Sequence, residues 1–191
     1  MTKHIKKLAG ISRREVLVGS AAGAGLVIGY SVLPNAVDSA SKAIAAGNWD
    51  HQQYLTMDSD GKAHVYVTKC EIGQHVGTAL AQAVAEELEI NWDDVNVIYP
   101  DSHAKWGLMI TGGSWSVNWT FDRNSRIGAS ARIALVEAGA KMMGASVSDC
   151  YAKNSAVHTN SGKSVTYKEI LSKNTIDRTF SEEEMLSLIH I

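Results

Sequence analysis

The sequence predicts an α+β domain, and three patterns support that prediction. Two short apolar segments flank an Asp/Gly-rich turn early in the chain. Two longer segments repeat apolar residues every three or four positions, which is the period of an amphipathic helix. A late pair of short segments is joined at residues 160–163, Asn-Ser-Gly-Lys. The predicted order is strand, strand, helix, strand, long helix and hairpin, with too little alternation for a complete doubly wound domain.

The first predicted elements are a hairpin and a helix. Residues 54–57 and 63–67 flank the turn at 58–61, which predicts strand, turn and strand. Residues 68–77 contain two glycines and are predicted to form a loop. Thr78 is the predicted N-cap of the helix that follows. The apolar stripe of this helix consists of Leu80, Val84 and Leu88.

The later elements follow from similar signals. A third strand over 95–99 should end at Pro100, because proline cannot donate to a sheet. Residues 107–116 are rich in Gly, Ser and Thr and predict a loop. A long helix is predicted to begin between 117 and 122 and to end at Met143. Its apolar stripe is Ile127, Ala131, Leu135, Ala138 and Met142. The final hairpin pairs 156–159 with 164–167.

The composition excludes several classes of protein. The net charge of −2 offers no basic surface for nucleic acid. Two prolines and 16 glycines in 191 residues argue against a disordered or collagen-like chain. Two cysteines, Cys70 and Cys150, are too few for a disulfide scaffold or a zinc cage. They are expected either as small buried apolar side chains or as one disulfide.

Residues 1–35 have the pattern of an export signal. A basic start precedes a mildly apolar run over 16–33, which is too short and too polar for a bilayer-spanning helix. Residues 12–17, Ser-Arg-Arg-Glu-Val-Leu, resemble a twin-arginine export signal, which is read by a receptor. That route carries folded, cofactor-loaded proteins. We therefore expect a signal helix over 1–35, a linker over 36–48, and a location in the periplasm or on the periplasmic face of the inner membrane.

The last residues differ from the rest of the chain. Residues 186–191, Leu-Ser-Leu-Ile-His-Ile, have no turn, cap or amphipathic pattern. They resemble the translation of a transposon-end sequencing adapter, CTG TCT CTT ATA CAC ATC. We therefore expect 186–191 to be foreign to the gene and 172–185 to be the start of a truncated remainder.

The residues with the clearest chemical potential lie in the loop before the first helix. Gly73 permits close approach of the backbone to a ligand. The N–H groups at the start of the helix favour an anion such as phosphate. Gln74 offers hydrogen-bond donors and an acceptor to a flat heterocycle. From these residues alone, the loop is either a plain connection or a binding loop.

Several ordered motifs resemble the large (beta) subunit of isoquinoline 1-oxidoreductase. This subunit, also described as a molybdopterin-dependent aldehyde dehydrogenase, belongs to the xanthine dehydrogenase and aldehyde oxidase superfamily. The resemblance covers nearly all of residues 12–170 and identifies the chain as an N-terminal fragment. The family pattern E-x-G-Q-G-V-x-T-A-L corresponds to residues 71–80. The other matches are A-E-E-L at 85–88, W-x-x-V at 92–95, T-G-G-S-W-S at 111–116, the helix over 126–141 and S-G-K-S-V-T-Y at 161–167.

The resemblance implies a cofactor site and its residues. Residues 49–171 would be a partial molybdopterin-binding domain, with Gly73, Gln74 and His75 at the pterin. Gly113, Ser114 and Ser116 would lie at the phosphate side of the cofactor. His75 stands where the family usually has glycine, so its Cβ should crowd the cofactor or shift the loop. No residue of this fragment is expected to bind metal or to act as the catalytic base, because the family's base lies near the far end of its chain.

The resemblance also implies an activity. The whole enzyme would hydroxylate N-heterocycles or aldehydes, with water as the oxygen source and the cytosine dinucleotide form of molybdopterin. Electrons would pass to iron-sulfur clusters on a small partner subunit, with a cytochrome as a further acceptor. The fragment alone is expected to be inactive. The alternatives are an exported, non-catalytic domain that binds a small ligand or a partner, and a membrane-tethered structural protein.

Overall fold

The protein folds into two sheets and three helices over the residues described by this computed structural model, which are 25–30, 54–180, 184, 185 and 188. The strands are β1 (Gly25–Tyr30), β2 (Leu55–Met57), β3 (Ala63–Tyr66), β4 (Val95–Ile98), β5 (Cys150–Lys153), β6 (Ala156–Thr159), β7 (Ser164–Thr166) and β8 (Thr175–Phe180). The helices are α1 (Val76–Leu88), α2 (Ser116–Met143) and α3 (Tyr167–Lys173). Short 3₁₀ turns occupy Trp92–Asp94, Ala104–Trp106 and Val147–Asp149.

The larger sheet is mixed and has the strand order β4-β3-β2-β1-β8. Strand β2 is antiparallel to both β1 and β3, with Leu55 opposite Val65. Strands β3 and β4 are parallel, and so are β1 and β8. The smaller sheet, β5-β6-β7, is antiparallel. Helices interspersed with a mixed sheet and a separate antiparallel sheet confirm the predicted α+β class.

The predicted apolar stripes of α1 and α2 form the core. Leu80, Val84 and Leu88 are at most 1% exposed, and they belong to the same buried cluster as Leu55 and Val65 of the larger sheet. The α2 residues Ile127, Ala131 and Leu135 join that cluster. The helical spacing therefore identified the buried faces correctly, because side chains three and four positions apart share one face of a helix.

Two helix starts differ from the prediction. Helix α1 begins at Val76, with His75 rather than Thr78 as its N-cap residue, because the Glu71 carboxylate accepts hydrogen bonds from the N–H groups of His75 and Gly77. Tyr167 was expected at the end of a strand but begins α3. Thr166 and Glu169 form a capping box at that point, a sequence signal that was available.

The apolar segment near the N-terminus contains a strand. Gly25–Tyr30 pairs with both β2 and β8, so the expectation of a signal helix is wrong for these six residues. The physical reason is that β2 and β8 offer unpaired backbone groups to a segment that contains β-branched Val27 and Ile28. The rest of the predicted signal segment and the linker over 36–48 lie outside the described residues.

Strands β5 and β8 were also missed by the sequence patterns. Strand β8 lies within 172–185, the stretch expected to begin a truncated remainder. Of the predicted adapter translation at 186–191, only Leu188 is described, and its N–H donates to Glu87 Oε2 over 2.7 Å. Within the part of the chain that the structure describes, no helix combines the length and the apolar character that crossing a bilayer requires.

The two cysteines are free thiols. Cys70 is exposed, which contradicts the expectation of burial, because it lies in the loop before α1 rather than in the core. Cys150 begins β5 and is partly buried. The alternative of a disulfide between them is therefore wrong for this structure.

Candidate functional site

The loop before α1 and the loop before α2 face one another across a cleft of about 310 Å³. The first loop, residues 70–75, connects β3 to α1, and the second, residues 111–115, leads into α2. Four of the six predicted cofactor residues line the cleft, namely Gln74, His75, Ser114 and Ser116. Gly73 and Gly113 are their neighbours in the chain. The other lining residues are Ile72, Val76, Ala79, Thr111, Gly112 and Val117.

A second, larger cleft of about 530 Å³ lies elsewhere on α1. Its lining includes Glu86, Glu89 and Trp92. It contains none of the predicted site residues and neither of the two loops. The smaller cleft is therefore the candidate site, because it brings together two motifs that are about forty residues apart in the sequence.

Hydrogen bonds join the two loops and the residues beside them. Lys69 is 4% exposed, and its Nζ donates to the carbonyl oxygen of Ile110 over 2.9 Å. The N–H of Cys70 donates to Thr111 Oγ1 over 2.7 Å. Burial lowers the pKa of the Lys69 ammonium, and the positive charge of Arg123 lowers it further. Sequence analysis did not identify Lys69 or Thr111, because their roles depend on contacts between distant segments.

Glu71 organises the first loop through its carboxylate. Oε1 accepts the N–H groups of Gly73 and His75, over 2.8 and 2.9 Å. Oε2 accepts two longer bonds, from the N–H of Gly77 at 3.4 Å and from the hydroxyl of Tyr99 at 3.5 Å. Desolvation alone would raise the pKa of Glu71, but the backbone hydrogen bonds outweigh it and lower the pKa below its ordinary value.

This carboxylate changes the interpretation of the start of α1. The sequence suggested that N–H groups there would be free to bind a phosphate or another anion. In the structure, the N–H groups of His75 and Gly77 already face Glu71. The side chain therefore places an anion of the protein itself at the positive end of the helix dipole. For these two N–H groups the expectation of a free anion site is wrong.

The side-chain amide of Gln74 is held by the backbone of its own loop. Its Oε1 accepts the N–H of Ile72 over 2.7 Å, and its Nε2 donates to the carbonyl of Cys70 over 2.8 Å. These two bonds fix the orientation of the amide, because only the oxygen can accept and only the nitrogen can donate. One N–H and one acceptor lone pair of the amide remain for a ligand.

Both loops pass through the left-handed region of backbone space. Gly73 has a φ of 97° and His75 a φ of 58°, while Gly113 and Ser114 have φ values of 61° and 58°. Glycine adopts such values without strain, whereas a residue with a Cβ does not. The departure noted at His75 therefore falls at a position whose backbone favours glycine, and its side chain lines the cleft.

We expect His75→Gly to raise the free energy of unfolding by about 0.5–1 kcal/mol. Relief of the left-handed strain, about 1–2 kcal/mol, should exceed the entropic cost of glycine, about 0.5–1 kcal/mol. Urea unfolding monitored by circular dichroism measures the change. The matched control is Gln82→Gly, at an exposed position of α1, which should lower the free energy of unfolding by about 1 kcal/mol. A decrease of similar size in the free energy of unfolding of both variants would contradict backbone strain at His75.

Two glycine-containing loops that share one concave, partly apolar cleft define a small-molecule or cofactor-binding α+β domain. Comparison with known families narrows that class. The sequence model of the family described as "Molybdopterin cofactor-binding domain" matches residues 4–187. The chain belongs to this family.

Two curated relatives extend well beyond this chain. The chain is 36% identical over 186 residues to "Membrane-bound aldehyde dehydrogenase [pyrroloquinoline-quinone]" of Gluconacetobacter polyoxogenes, covering 96% of this chain and 24% of that protein. It is 28% identical over 178 residues to "Isoquinoline 1-oxidoreductase subunit beta" of Brevundimonas diminuta, covering 89% of this chain and 23% of that protein. The chain thus spans about a quarter of the length of each relative.

A solved structure also resembles part of the chain. It is quinoline 2-oxidoreductase from Pseudomonas putida 86, with 21% sequence identity and a TM-score of 0.35. The similarity covers 60% of this chain and 15% of that one.

Proposed function

We propose that this chain forms part of the molybdenum-cofactor site of an oxidoreductase that acts on N-heterocycles or aldehydes. The observation that carries the proposal is the cleft, which joins the loop of Gln74 to the loop of Ser114 in a chain of the molybdopterin-binding family. When bound, the molybdenum cofactor would supply the redox chemistry of the hydroxylation, with water as the oxygen source. The residues of this chain would bind and orient the cofactor.

The cleft has the chemical character that a pterin requires. Gln74 keeps one N–H donor and one acceptor lone pair for a heterocycle whose edge carries both kinds of group. Ser114 and Ser116 of the second loop also line the cleft, and their hydroxyls would serve a phosphate. A Cβ added at Gly112 would meet no atom within 4 Å, so there is open space for a ligand beside this backbone.

The size of the cleft supports a partial site. Its volume of about 310 Å³ lies at the lower end of the range for small-molecule pockets. The pterin end of the cofactor would occupy it, and a cytosine nucleotide would extend beyond it. We propose that the remainder of the site and the catalytic base belong to a longer polypeptide, as the greater length of the relatives suggests. The present chain alone is then expected to be inactive.

The proposal includes partners and a location. Electrons would leave through iron-sulfur clusters on a small partner subunit, with a cytochrome as a further acceptor. The twin-arginine motif at residues 12–17 supports export to the periplasm or to the periplasmic face of the inner membrane. The name of one relative, a membrane-bound enzyme, is compatible with that location.

Cofactor content tests the proposal directly. The full chain is produced in a host that makes the molybdenum cofactor and in the same host with that synthesis disabled. We expect molybdenum and a fluorescent pterin, in equal amounts, only in protein from the first host. Dye-coupled oxidation of aldehydes or N-heterocycles should be absent in both preparations.

Three results would overturn the proposal or part of it. Absence of molybdenum and pterin from both preparations would favour the alternative, a non-catalytic ligand-binding domain. A bound quinone in place of the pterin would favour the cofactor that the name of the Gluconacetobacter relative gives. Substrate turnover by this chain alone would contradict the expectation that the catalytic machinery is incomplete.

A further inference from the structure

A single carboxylate binds the loop on both sides of Gln74. The N–H groups of Gly73 and His75, the residues immediately before and after Gln74, both donate to Glu71 Oε1. The Glu71 side chain is itself exposed, so it contributes little to the core. Its principal contacts are those with the loop and the start of α1.

We propose that Glu71 is a positioning residue that holds the Gln74 amide in the geometry required at the cleft. The consequence of this positioning role for cofactor binding rests on the function proposed above. Glu71 does not line the cleft of Gln74; it lines a neighbouring cleft of about 480 Å³ beside Tyr99. Its contacts with the Gln74 cleft therefore run through the backbone on either side of Gln74. With residues 73 and 75 bound to one oxygen atom, the backbone of Gln74 has little freedom to rotate.

The Gln74 side chain completes this arrangement. Its amide bridges Ile72 and Cys70, which lie on either side of Glu71 in the chain. The two side chains therefore stabilise the same bend. Glu71 accepts hydrogen bonds from N–H groups that follow it in the chain, whereas Gln74 bonds to backbone groups that precede it. The bridge of Gln74 forms only while the bend keeps its shape, so loss of the Glu71 contacts should release the amide.

A close approach at Gly77 supports the same role. A Cβ built on Gly77 would lie 2.6 Å from Cζ of Tyr99, so glycine at this position lets the Tyr99 ring lie against the start of α1. The Tyr99 hydroxyl donates to Glu71 Oε2. Desolvation raises the pKa of Tyr99, and the negative charge of Glu71 raises it further, so the hydroxyl stays protonated as a donor. Gly77 and Tyr99 thus keep the carboxylate directed at the loop.

The test is Glu71→Gln in the full chain, with Glu86→Gln as the matched control. Glu71→Gln keeps the size of the side chain and one acceptor oxygen, which can still accept from Gly73 and His75, but its NH₂ group cannot accept from Gly77 or Tyr99. Glu86 is exposed on α1, so its variant removes the same charge from the same region without touching the loop. Glu71→Ala provides a second variant that removes all four contacts.

The spectroscopic readout is the side-chain NH₂ of Gln74 in ¹⁵N-labelled protein, together with the backbone amides of Gly73 and His75. In Glu71→Ala, which has no acceptor for the N–H groups of Gly73 and His75, we expect exchange of these protons with water to become at least about tenfold faster. Glu71→Gln keeps an acceptor oxygen for both N–H groups, so its increase should be smaller. The far-UV circular dichroism spectrum should stay unchanged, since the core contacts are intact. Glu86→Gln should leave all these signals as they are in the wild type.

The molybdenum content separates this inference from the proposed function. If the wild type takes up molybdenum, Glu71→Ala should take up several-fold less, and Glu86→Gln the same amount as the wild type. Unchanged exchange at Gln74 in Glu71→Ala would overturn the positioning role. Faster exchange with undiminished molybdenum would overturn its consequence for the cofactor. A wild type without molybdenum that still shows the faster exchange in its variants would refute the proposed function while supporting the role of Glu71 in the loop.

Discussion

Replacing Gly128 with alanine is expected to lower the free energy of unfolding by about 1–3 kcal/mol. Gly128 lies within α2 where this helix packs on α1. A Cβ at this position would lie 2.6 Å from the carbonyl oxygen of Val84 and 2.8 Å from Cβ of Glu87. The nearest atom belongs to the backbone of α1, which cannot rotate away as a side chain can. To accommodate the Cβ, the two helices would therefore have to move apart.

The direction of the change in the free energy of unfolding distinguishes close helix packing from helix propensity. In a helix interior, exchange of glycine for alanine ordinarily stabilises a protein by about 1 kcal/mol. Urea unfolding of the variant should show the opposite. The exposed α2 residue Lys141 supplies a control, because Lys141→Ala should stay within about 0.5 kcal/mol of the wild type. A more stable Gly128→Ala would mean that α1 and α2 lie farther apart than the structure shows.

The second large effect concerns cofactor content. Gln74→Leu is expected to reduce bound molybdenum at least about tenfold, equivalent to about 1.4 kcal/mol of binding free energy. Leucine matches glutamine approximately in size but cannot bridge Ile72 and Cys70, nor donate to a heterocycle. The loop would lose the two hydrogen bonds that the Gln74 amide makes within it and its polar contact with the ligand.

Metal analysis of purified protein measures this effect, with Gln82→Leu as the control. Gln82 lies on α1 outside the cleft, where it is exposed, so the same chemical change there should leave the molybdenum content at the wild-type level. Equal losses in both variants would indicate a general effect of added apolar surface. Full molybdenum content in Gln74→Leu would remove Gln74 from the proposed cofactor site.

The candidate site was predictable where it depended on local sequence. The loops around Gln74 and Ser114 could be recognised because each is a continuous motif with a characteristic order of residues. Thr111 belonged to the second motif, but its contact with Cys70 and the contact of Lys69 with Ile110 could not be recognised in this way, because each joins segments about forty residues apart. Glu71 belonged to the recognised motif, but nothing in its spacing indicated that it would accept hydrogen bonds from the loop's own backbone.

The fold shows the same division between local and distant effects. Strands β2 to β4 and helices α1 and α2 were predicted, since alternation and helical spacing are properties of consecutive residues. Strands β5 and β8 were not, because these short segments show no regular alternation of apolar and polar residues and form strands by pairing with β6 and β1. Strand β1 was predicted as helix for the same reason, as its conformation depends on the edges offered by β2 and β8.

By itself, the amino-acid sequence determined the α+β class, the buried faces of α1 and α2, the two glycine-containing loops and membership of the molybdopterin cofactor-binding family. Only the tertiary structure decided that the two loops share one cleft, that the Gln74 amide bonds to the backbone of its own loop and that the Glu71 carboxylate accepts from N–H groups at the start of α1. The physical reason is the range of the interactions involved. Hydrophobic periodicity and turn chemistry act between near neighbours, whereas a cleft forms between segments that folding alone brings into contact.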